Sequence, residues 1–300
     1  MKNNLSLTAQ YILGFTDAEG MFGLIVKQGG GPTGNKFTLE FKVSQKAHSL
    51  NVLLSIQEYF GCGRIAVDNS KDDTMKFVVT DLESIIQIII PFFLANKLLT
   101  SKNLNFLDFV KMSVIINNGS HLTMEGAQSL LAIYAGMNSK RSWMDKYSFM
   151  LTHTLEITAG WLQGFIDGDG SFTTWVGLSS ATRSTQHTVL ELFLEIKQNT
   201  HDVLVLKAII DFLGIGTIKP NFDIYDPVAV QTMRSTAKVI VRQTGRIVEF
   251  VDENPMMTRK RLDYEDWKIL YDLKLRKLHL TEDGLLQIKL IRARMNSKRV

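Results

Sequence analysis

Cysteine is almost absent. Cys62 is the only one in 300 residues, which excludes an intramolecular disulfide framework and any multi-cysteine zinc or iron–sulfur site. A reducing compartment fits that usage. Proline is also scarce, at five residues, and 45% hydrophobic against 21% charged residues is not a disordered composition, so a sizeable core can be buried. Long apolar runs are missing as well. The richest, residues 85–99, is interrupted by Gln87, Pro91 and Asn96 and falls short of the roughly 18–20 residues that a membrane span needs. It reads as a core helix. The opening stretch MKNNLSLTAQYILGF has one lysine and no secretory-signal pattern, so secretion is not expected. An excess of one charge is lacking too: the net charge is +4 and the pI about 9.0, which permits a nucleic-acid partner but equally suits enzymes of small substrates.

What the sequence does contain is itself, written twice. Residues 7–22 read LTAQYILGFTDAEGMF and residues 157–172 read ITAGWLQGFIDGDGSF, with seven of sixteen positions identical at an offset of 150. At offset 153, Gln45, His48, Gly61, Gly63 and Ile65 meet Gln198, His201, Gly214, Gly216 and Ile218. At offset 158, Asn96, Thr100, Lys102, Leu104 and Asp108 meet Asn254, Thr258, Lys260, Leu262 and Asp266, and HLT and MNSKR recur near each end. The offsets change where loops should lie. Residues 228–246 have no secure counterpart. These matches divide the chain into halves at 1–137 and 154–300, joined by a segment at 138–153. That joining segment carries Trp143, Met144, Tyr147, Phe149 and Met150, unlike a flexible linker, so it is expected to pack along the surface. Charge is shared evenly, with 14 basic against 12 acidic residues in 1–150 and 20 against 18 in the remainder.

Each half reads as helix, two strands, helix, two strands, then helices. Residues 7–18 have helical apolar spacing, whereas 36–44 alternate, with Phe37, Leu39, Phe41 and Val43 on one face. In the second half Leu190, Leu192, Leu194 and Ile196 point inward while Val189, Glu191, Phe193, Glu195 and Lys197 point outward. Half-buried antiparallel sheets follow from that alternation. Gly61 and Gly214 are expected helix C-caps, and Thr123 and Thr281 N-caps of the last helix in each half.

The chemistry is concentrated in GFTDAEG, 14–20, and GFIDGDG, 164–170. Gly160, Gly164 and Gly168 fall at i, i+4 and i+8 on one helix face, and Gly14 with Ala18 does the same in the first half. Small residues on one face let two helix backbones approach closely. If these two helices pack together, their C-terminal ends bring Glu19 and Asp169 to the junction of the halves. Two carboxylates held close raise one another's pKa unless a divalent cation lies between them. Mg²⁺, a hard ion that takes oxygen ligands, suits such a place. A single DxEG or DxDG ending a helix is usually only solvent-facing; the repetition of its whole context argues otherwise. The glycine-rich QGGGPTGNK lacks the GK[ST] ending of a phosphate-binding loop and sits between two strands, where a hairpin loop is expected.

The paired motifs in two similar halves closely resemble the single-chain LAGLIDADG homing endonucleases, across nearly the whole sequence. The resemblance implies an α+β fold of two pseudo-symmetric αββαββα halves, each with a saddle-shaped antiparallel sheet, packed through the motif helices at Gly14, Gly160 and Gly164. It implies a monomeric, Mg²⁺-dependent, site-specific endonuclease that cuts both strands of a long asymmetric DNA site and serves intron mobility. Ca²⁺ is expected to support binding without cleavage. By the same resemblance Glu19 and Asp169 bind metal, assisted by the carbonyls of Ala18 and Gly168, while Asp17 and Asp167 are structural. Gln45, Gln198, Lys102 and Lys260 are candidates to position water or stabilise developing charge. Candidate DNA contacts lie on the outward sheet faces, because a β-ribbon fits the major groove: Gly23, Ile25, Lys27, Lys36, Thr38, Glu40 and Lys42 in one half, and Ser171, Thr173, Trp175, Arg183, Gln186, Glu191 and Glu195 in the other. The family also implies a mitochondrial or other organellar setting and leaves two alternatives, an intron-RNA maturase and a catalytically inactive DNA-binding protein.

Overall fold

The computed structural model describes residues 7–29, 32–178, 188–233 and 235–296. Helix α1 (Ala9–Glu19) starts where the Thr8 hydroxyl accepts from the Tyr11 N–H at 3.1 Å, capping an otherwise unpaired donor. It ends on Gly20, which opens strand β1 (Gly20–Gln28) with no intervening loop. A Cβ on Gly20 would lie 2.7 Å from the Thr16 carbonyl oxygen, so only glycine lets the chain turn straight from helix into strand. That turn fixes Glu19 at the last position of the helix.

Strand β2 (Asn35–Lys46), helix α2 (Leu50–Phe60) and strands β3 (Arg64–Asn69) and β4 (Thr74–Val79) complete a sheet of order β1-β2-β4-β3, antiparallel throughout. Gly61 terminates α2 in the left-handed region at φ 64°, the C-cap expected from its sequence. The apolar run at 85–99 is helical: a short turn α3 (Leu82–Ser84), a π-helical turn over Ile85–Ile89, then α4 (Ile90–Ala95), with Ile85, Ile89 and Phe93 buried. Helices α5 (Lys102–Asn117) and α6 (Met124–Ala135) close the first half. The inward face of β2 meets them through a cluster of rings in which Phe22 stands 5.0 Å from Phe41, 5.2 Å from Phe93 and 5.3 Å from Phe106.

Helix α7 (Trp143–Thr152) occupies the joining segment. It packs, as its aromatic residues predict, but more deeply than along a surface: Tyr147 and Met150 are fully buried. Trp143 donates to the Thr200 hydroxyl at 3.1 Å and Tyr147 to the Ile224 carbonyl at 2.8 Å, both in the second half. His153 reaches back to the Leu98 carbonyl at 2.8 Å.

The second half repeats the first: α8 (Ala159–Asp169), β5 (Gly170–Leu178), β6 (Thr188–Asn199), α9 (Val203–Leu213) and β7 (Thr217–Lys219). Its sheet order is β5-β6-β8-β7. A short helix α10 (Pro227–Thr232) intervenes before β8 (Thr236–Val241), whereas β3 and β4 are joined by a tight turn. The alignment fails at 228–246 because the connection carrying α10 is inserted into the second hairpin; the later part of that stretch is the preserved strand β8 and the start of the next helix. Helices α11 (Thr244–Glu253), α12 (Lys260–Leu275) and α13 (Glu282–Arg292) complete the half. Thr123 and Thr281 accept from the N–H groups of Gly126 and Gly284, as predicted for N-caps.

Candidate active site at the junction of the motif helices

Helices α1 and α8 pack against each other directly through their glycines. A Cβ on Gly14 would lie 1.9 Å from the Trp161 carbonyl oxygen, and one on Gly164 would lie 2.1 Å from that of Tyr11. The contact is reciprocal and leaves no room for a side chain at either place. At Gly160 the approach is looser, with Gln10 Cβ at 3.0 Å, and at Gly168 the neighbour is the Ala18 methyl at 2.3 Å.

Asp17 and Asp167 are buried beside this seam and bind across it. Asp17 accepts from Leu99 N (2.8 Å), Thr100 N (3.1 Å), Thr100 Oγ1 (2.6 Å) and, from the other half, Trp161 Nε1 (2.8 Å). Asp167 accepts from Met257 N (2.6 Å), Thr258 N (3.0 Å), the Thr258 hydroxyl and, from the other half, Tyr11 Oη (2.6 Å). Burial pushes the Asp17 carboxyl up, against the hydrogen bonds that favour its charge. Both acids are structural in this arrangement. They tie the loops that precede α5 and α12 to the motif helices, and so aim Lys102 and Lys260.

Those lysines are half-buried at the helix ends. Lys102 Nζ donates to the carbonyls of Thr16 (2.8 Å) and Ala18 (3.3 Å), and Lys260 Nζ to those of Ile166 and Gly168 (both 2.8 Å). Burial pulls the pKa of both lysines down, opposed by the surrounding carboxylates, Asp17 foremost for Lys102 and Asp167 for Lys260. Glu19 accepts from Gln45 Nε2 at 2.9 Å, and Asp169 from Gln198 Nε2. Burial raises the pKa of Glu19 and Asp169, and the Asp169 charge raises that of Glu19 further. All six predicted catalytic side chains thus meet at the paired helix ends.

They are distributed over two clefts. One, of about 740 Å³, is lined by Asp169 and Gln198 together with Lys102, Lys146 and Asp202; the other, of about 340 Å³, by Glu19 and Gln45 together with Lys260, Arg259 and Asp263. Each cleft joins the acid and amide of one half to the lysine of the other. The donors on offer are carboxylate, amide and peptide oxygens, and no cluster of three or more His, Cys, Asp or Glu is found among the described residues. Such a set fits a hard divalent cation that keeps part of its water shell, and the carboxylates, raised first by burial and for Glu19 also by the Asp169 charge, are groups whose ionised form a cation would favour. The Ala18 and Gly168 carbonyls already accept from lysine, which leaves one lone pair on each.

The sheet faces agree with the alternation in the sequence. Gly23, Ile25 and Lys27 pair across the strands with Glu40, Thr38 and Lys36, so all share the outward face with Lys42. Ser171, Thr173 and Trp175 share theirs with Glu195, Phe193 and Glu191. Gly23 is the exception among these candidates: it is buried, with the Met21 methyl 3.1 Å from where its Cβ would be, so it offers no surface. Arg183 and Gln186 lie outside the described residues. The acidic candidates are paired: Glu40 with Lys76 (3.4 Å), Glu195 with Lys238 (2.5 Å) and Glu191 with Arg242 (3.9 Å). Lys42 pairs with Asp68 at 2.8 Å.

Several participants had no individual signal in the sequence. Asp202 accepts from Ser101 N (2.7 Å) and Ser101 Oγ (3.0 Å), whereas at the equivalent place in the other half Ser49 Oγ accepts from Arg259 N (3.1 Å). Tyr11 and Trp161 could have been found, since an aromatic donor stands at the same place in both copies of the motif. Asn138 and Asn296, in the repeated MN elements, donate to the carbonyls of Phe22 and Phe172 at 3.0 and 3.1 Å and pin the end of each half to its first strand.

Two related α+β halves that share a dicarboxylate centre beneath two four-stranded antiparallel sheets define a distinct class of protein. A model described as LAGLIDADG endonuclease matches residues 12–113 and 162–271, and the chain belongs to that family. The I-SmaMI LAGLIDADG homing endonuclease bound to cleaved DNA is similar over 98% of both chains, with 26% identity and a TM-score of 0.82. The I-LtrWI LAGLIDADG homing endonuclease bound to its target DNA is 29% identical, with a TM-score of 0.81 over 97% of this chain and 98% of that one. I-SmaMI has also been seen on uncleaved DNA in the presence of calcium ions. Among curated proteins, the probable intron-encoded endonuclease 3 of Neurospora crassa is 27% identical over 94% of this chain, and the probable intron-encoded endonuclease 2 of the same fungus 28% identical over 94%. The chain spans 53% and 64% of the length of these two relatives.

Proposed function

We propose that this chain is a monomeric homing endonuclease that makes a double-strand break at a long asymmetric DNA site, with Mg²⁺ as cofactor. The observation that carries the reading is the convergence of Glu19 and Asp169, one from each half, at helix ends that glycine packing holds together. Full-length similarity to DNA-bound homing endonucleases supports it. When bound, the metal would supply Lewis-acid polarisation of the scissile phosphate and a lowered pKa for the attacking water. Glu19 and Asp169 would hold it, with the carbonyls of Ala18 and Gly168. Gln45 and Gln198 fix the rotamers of the two acids. Lys102 and Lys260 place half-buried positive charge where a phosphate would gain negative charge. The outward sheet residues Ile25, Lys27, Lys36, Thr38, Lys42, Ser171, Thr173 and Trp175 are positioned to enter the major groove, and the chain divides functionally at 1–137 and 154–300 around α7.

Among the described residues no helix is long and apolar enough to cross a membrane. Intron-encoded relatives in Neurospora crassa support an organellar, mitochondrial setting. The test is incubation with a library of duplex DNA and Mg²⁺, alongside Glu19→Gln and Asp169→Asn. The wild type is expected to cut both strands at a small set of sites, and each variant to lose at least about a hundredfold in rate, as removal of one electrostatic group at a reacting centre does. Ca²⁺ is expected to support binding without cutting. Absence of any cut site, or variants that cut as fast as wild type, would sink the reading.

A further inference from the structure

The outward faces of the two sheets are built from the same positions but carry opposite chemistry. At the far end of the first sheet Lys27 and Lys36 stand directly opposite each other across β1 and β2, both exposed. Like charges so placed are unfavourable on their own and suit an anionic or electronegative surface. In the second sheet the equivalent places hold Gly177 and Val189, again a cross-strand pair. Trp175, 47% exposed, lies across Gly177: a Cβ there would come within 2.1 Å of the indole. The glycine is thus a platform for the indole. One step inward, Glu40 of the first sheet is replaced by Phe193, whose ring has the Arg242 guanidinium 5.5 Å from its centroid. Arg242 is itself paired with Glu191. The second face therefore presents the apolar groups of Trp175, Val189 and Phe193 around Glu191, whose charge is met by Arg242, and the far end of the first presents the exposed Lys27 and Lys36.

An exposed indole seated over a glycine offers a rigid apolar face to a partner, as tryptophan does at interfaces. The strand that carries Trp175 is continuous with the catalytic centre, since β5 leaves Asp169 without a loop. Trp175 lies six residues beyond that acid, about 20 Å along an extended strand. At about 3.4 Å per base pair this is about six base pairs from the cut. The apolar group that the major groove offers at that depth is the C5-methyl of thymine.

Resting on the endonuclease reading, we propose that the C-terminal half recognises thymine methyl groups through Trp175, Val189 and Phe193, while the N-terminal half reads its half-site through the charges of Lys27 and Lys36. A cleaved site is first selected from a DNA library. Deoxyuridine then replaces thymidine in one half-site at a time, and equilibrium binding is measured in Ca²⁺ for wild type and Trp175→Ala. The half-sites are assigned with Lys36→Ala, which alters base preference only in the N-terminal one. Thymine is expected to be enriched about five to seven base pairs from the cut on the C-terminal side. Removing each contacted methyl there should weaken binding by about fourfold, the factor for burying one such group. The same replacement in the other half should change nothing. Trp175→Ala should weaken binding to thymine DNA and erase the thymine–uracil difference at the one position that Trp175 covers, with base preference in the N-terminal half unchanged. Equal binding of thymine and uracil DNA, no thymine enrichment in that window, or a thymine–uracil difference that Trp175→Ala leaves unchanged at every position overturns the proposal while the endonuclease reading stands. Failure to select any cut site overturns the endonuclease reading itself, and the proposal with it.

Discussion

Glu19 and Asp169 are held in a place that disfavours their charge. Burial, and for Glu19 the neighbouring Asp169, raises their pKa, so the folded protein binds protons more readily there than the unfolded chain does. That contribution to stability is complete below the ordinary carboxylate value of about 4 and is lost as pH rises through the raised values. In metal-free buffer, Glu19→Gln is therefore expected to melt at a higher temperature than wild type at pH 7–8, and the gap to shrink as pH falls towards 4. Thermal melts in a chelator across that range check it; a gap that widens at low pH would contradict it. These acids and their partners Gln45, Gln198, Lys102 and Lys260 were legible in the sequence because each occurs twice, at a fixed offset. Ser101, Asp202, Ser49 and Arg259 were not. Each touches the other half, and the partner residues differ between the copies, so the repeat itself concealed them.

At the scale of elements, the seam between α1 and α8 is where sequence and packing correspond most directly. Glycines spaced four apart announced a close crossing, and the carbonyl of Trp161 fills the space that a Gly14 side chain would need. A backbone carbonyl cannot move aside as a flexible side chain can. Gly14→Ala is expected to destabilise the protein by about 3 kcal/mol, at the upper end for overpacking, and Gly160→Ala, facing a side-chain methylene at 3.0 Å, by under about 1.5 kcal/mol. Urea denaturation of both variants measures the difference. The alternating strands were equally readable, because a period of two leaves β2 and β6 one possible inward face each. The connection between β7 and β8 was not: α10 interrupts a hairpin that the first half closes with a tight turn, and no period survives such an insertion.

Over the whole molecule, each cleft takes its acid from one half and its lysine from the other, so neither half contains a complete set. Damage to one lysine should consequently appear on one strand of the substrate. Lys102 lines the cleft of Asp169, and Lys102→Met is expected to slow the cut made there by at least about tenfold more than the cut made beside Glu19, within the range of such electrostatic groups. Nicked intermediate should accumulate with one labelled strand intact. Equal slowing of both strands would show that the clefts act as one.

The two cross-seam bonds described above also bear on how such a chain can evolve. Asp167 is met by a tyrosine and Asp17 by a tryptophan, and the two pockets differ by the volume that separates those rings. A pair of first halves would place tyrosine in the tryptophan's space twice and leave voids; a pair of second halves would force tryptophan into the tyrosine's space twice. Only the mixed pair fills both. These two buried positions therefore favour the fused, unlike pair over assembly from two identical halves, and so an unsymmetrical target over a palindromic one.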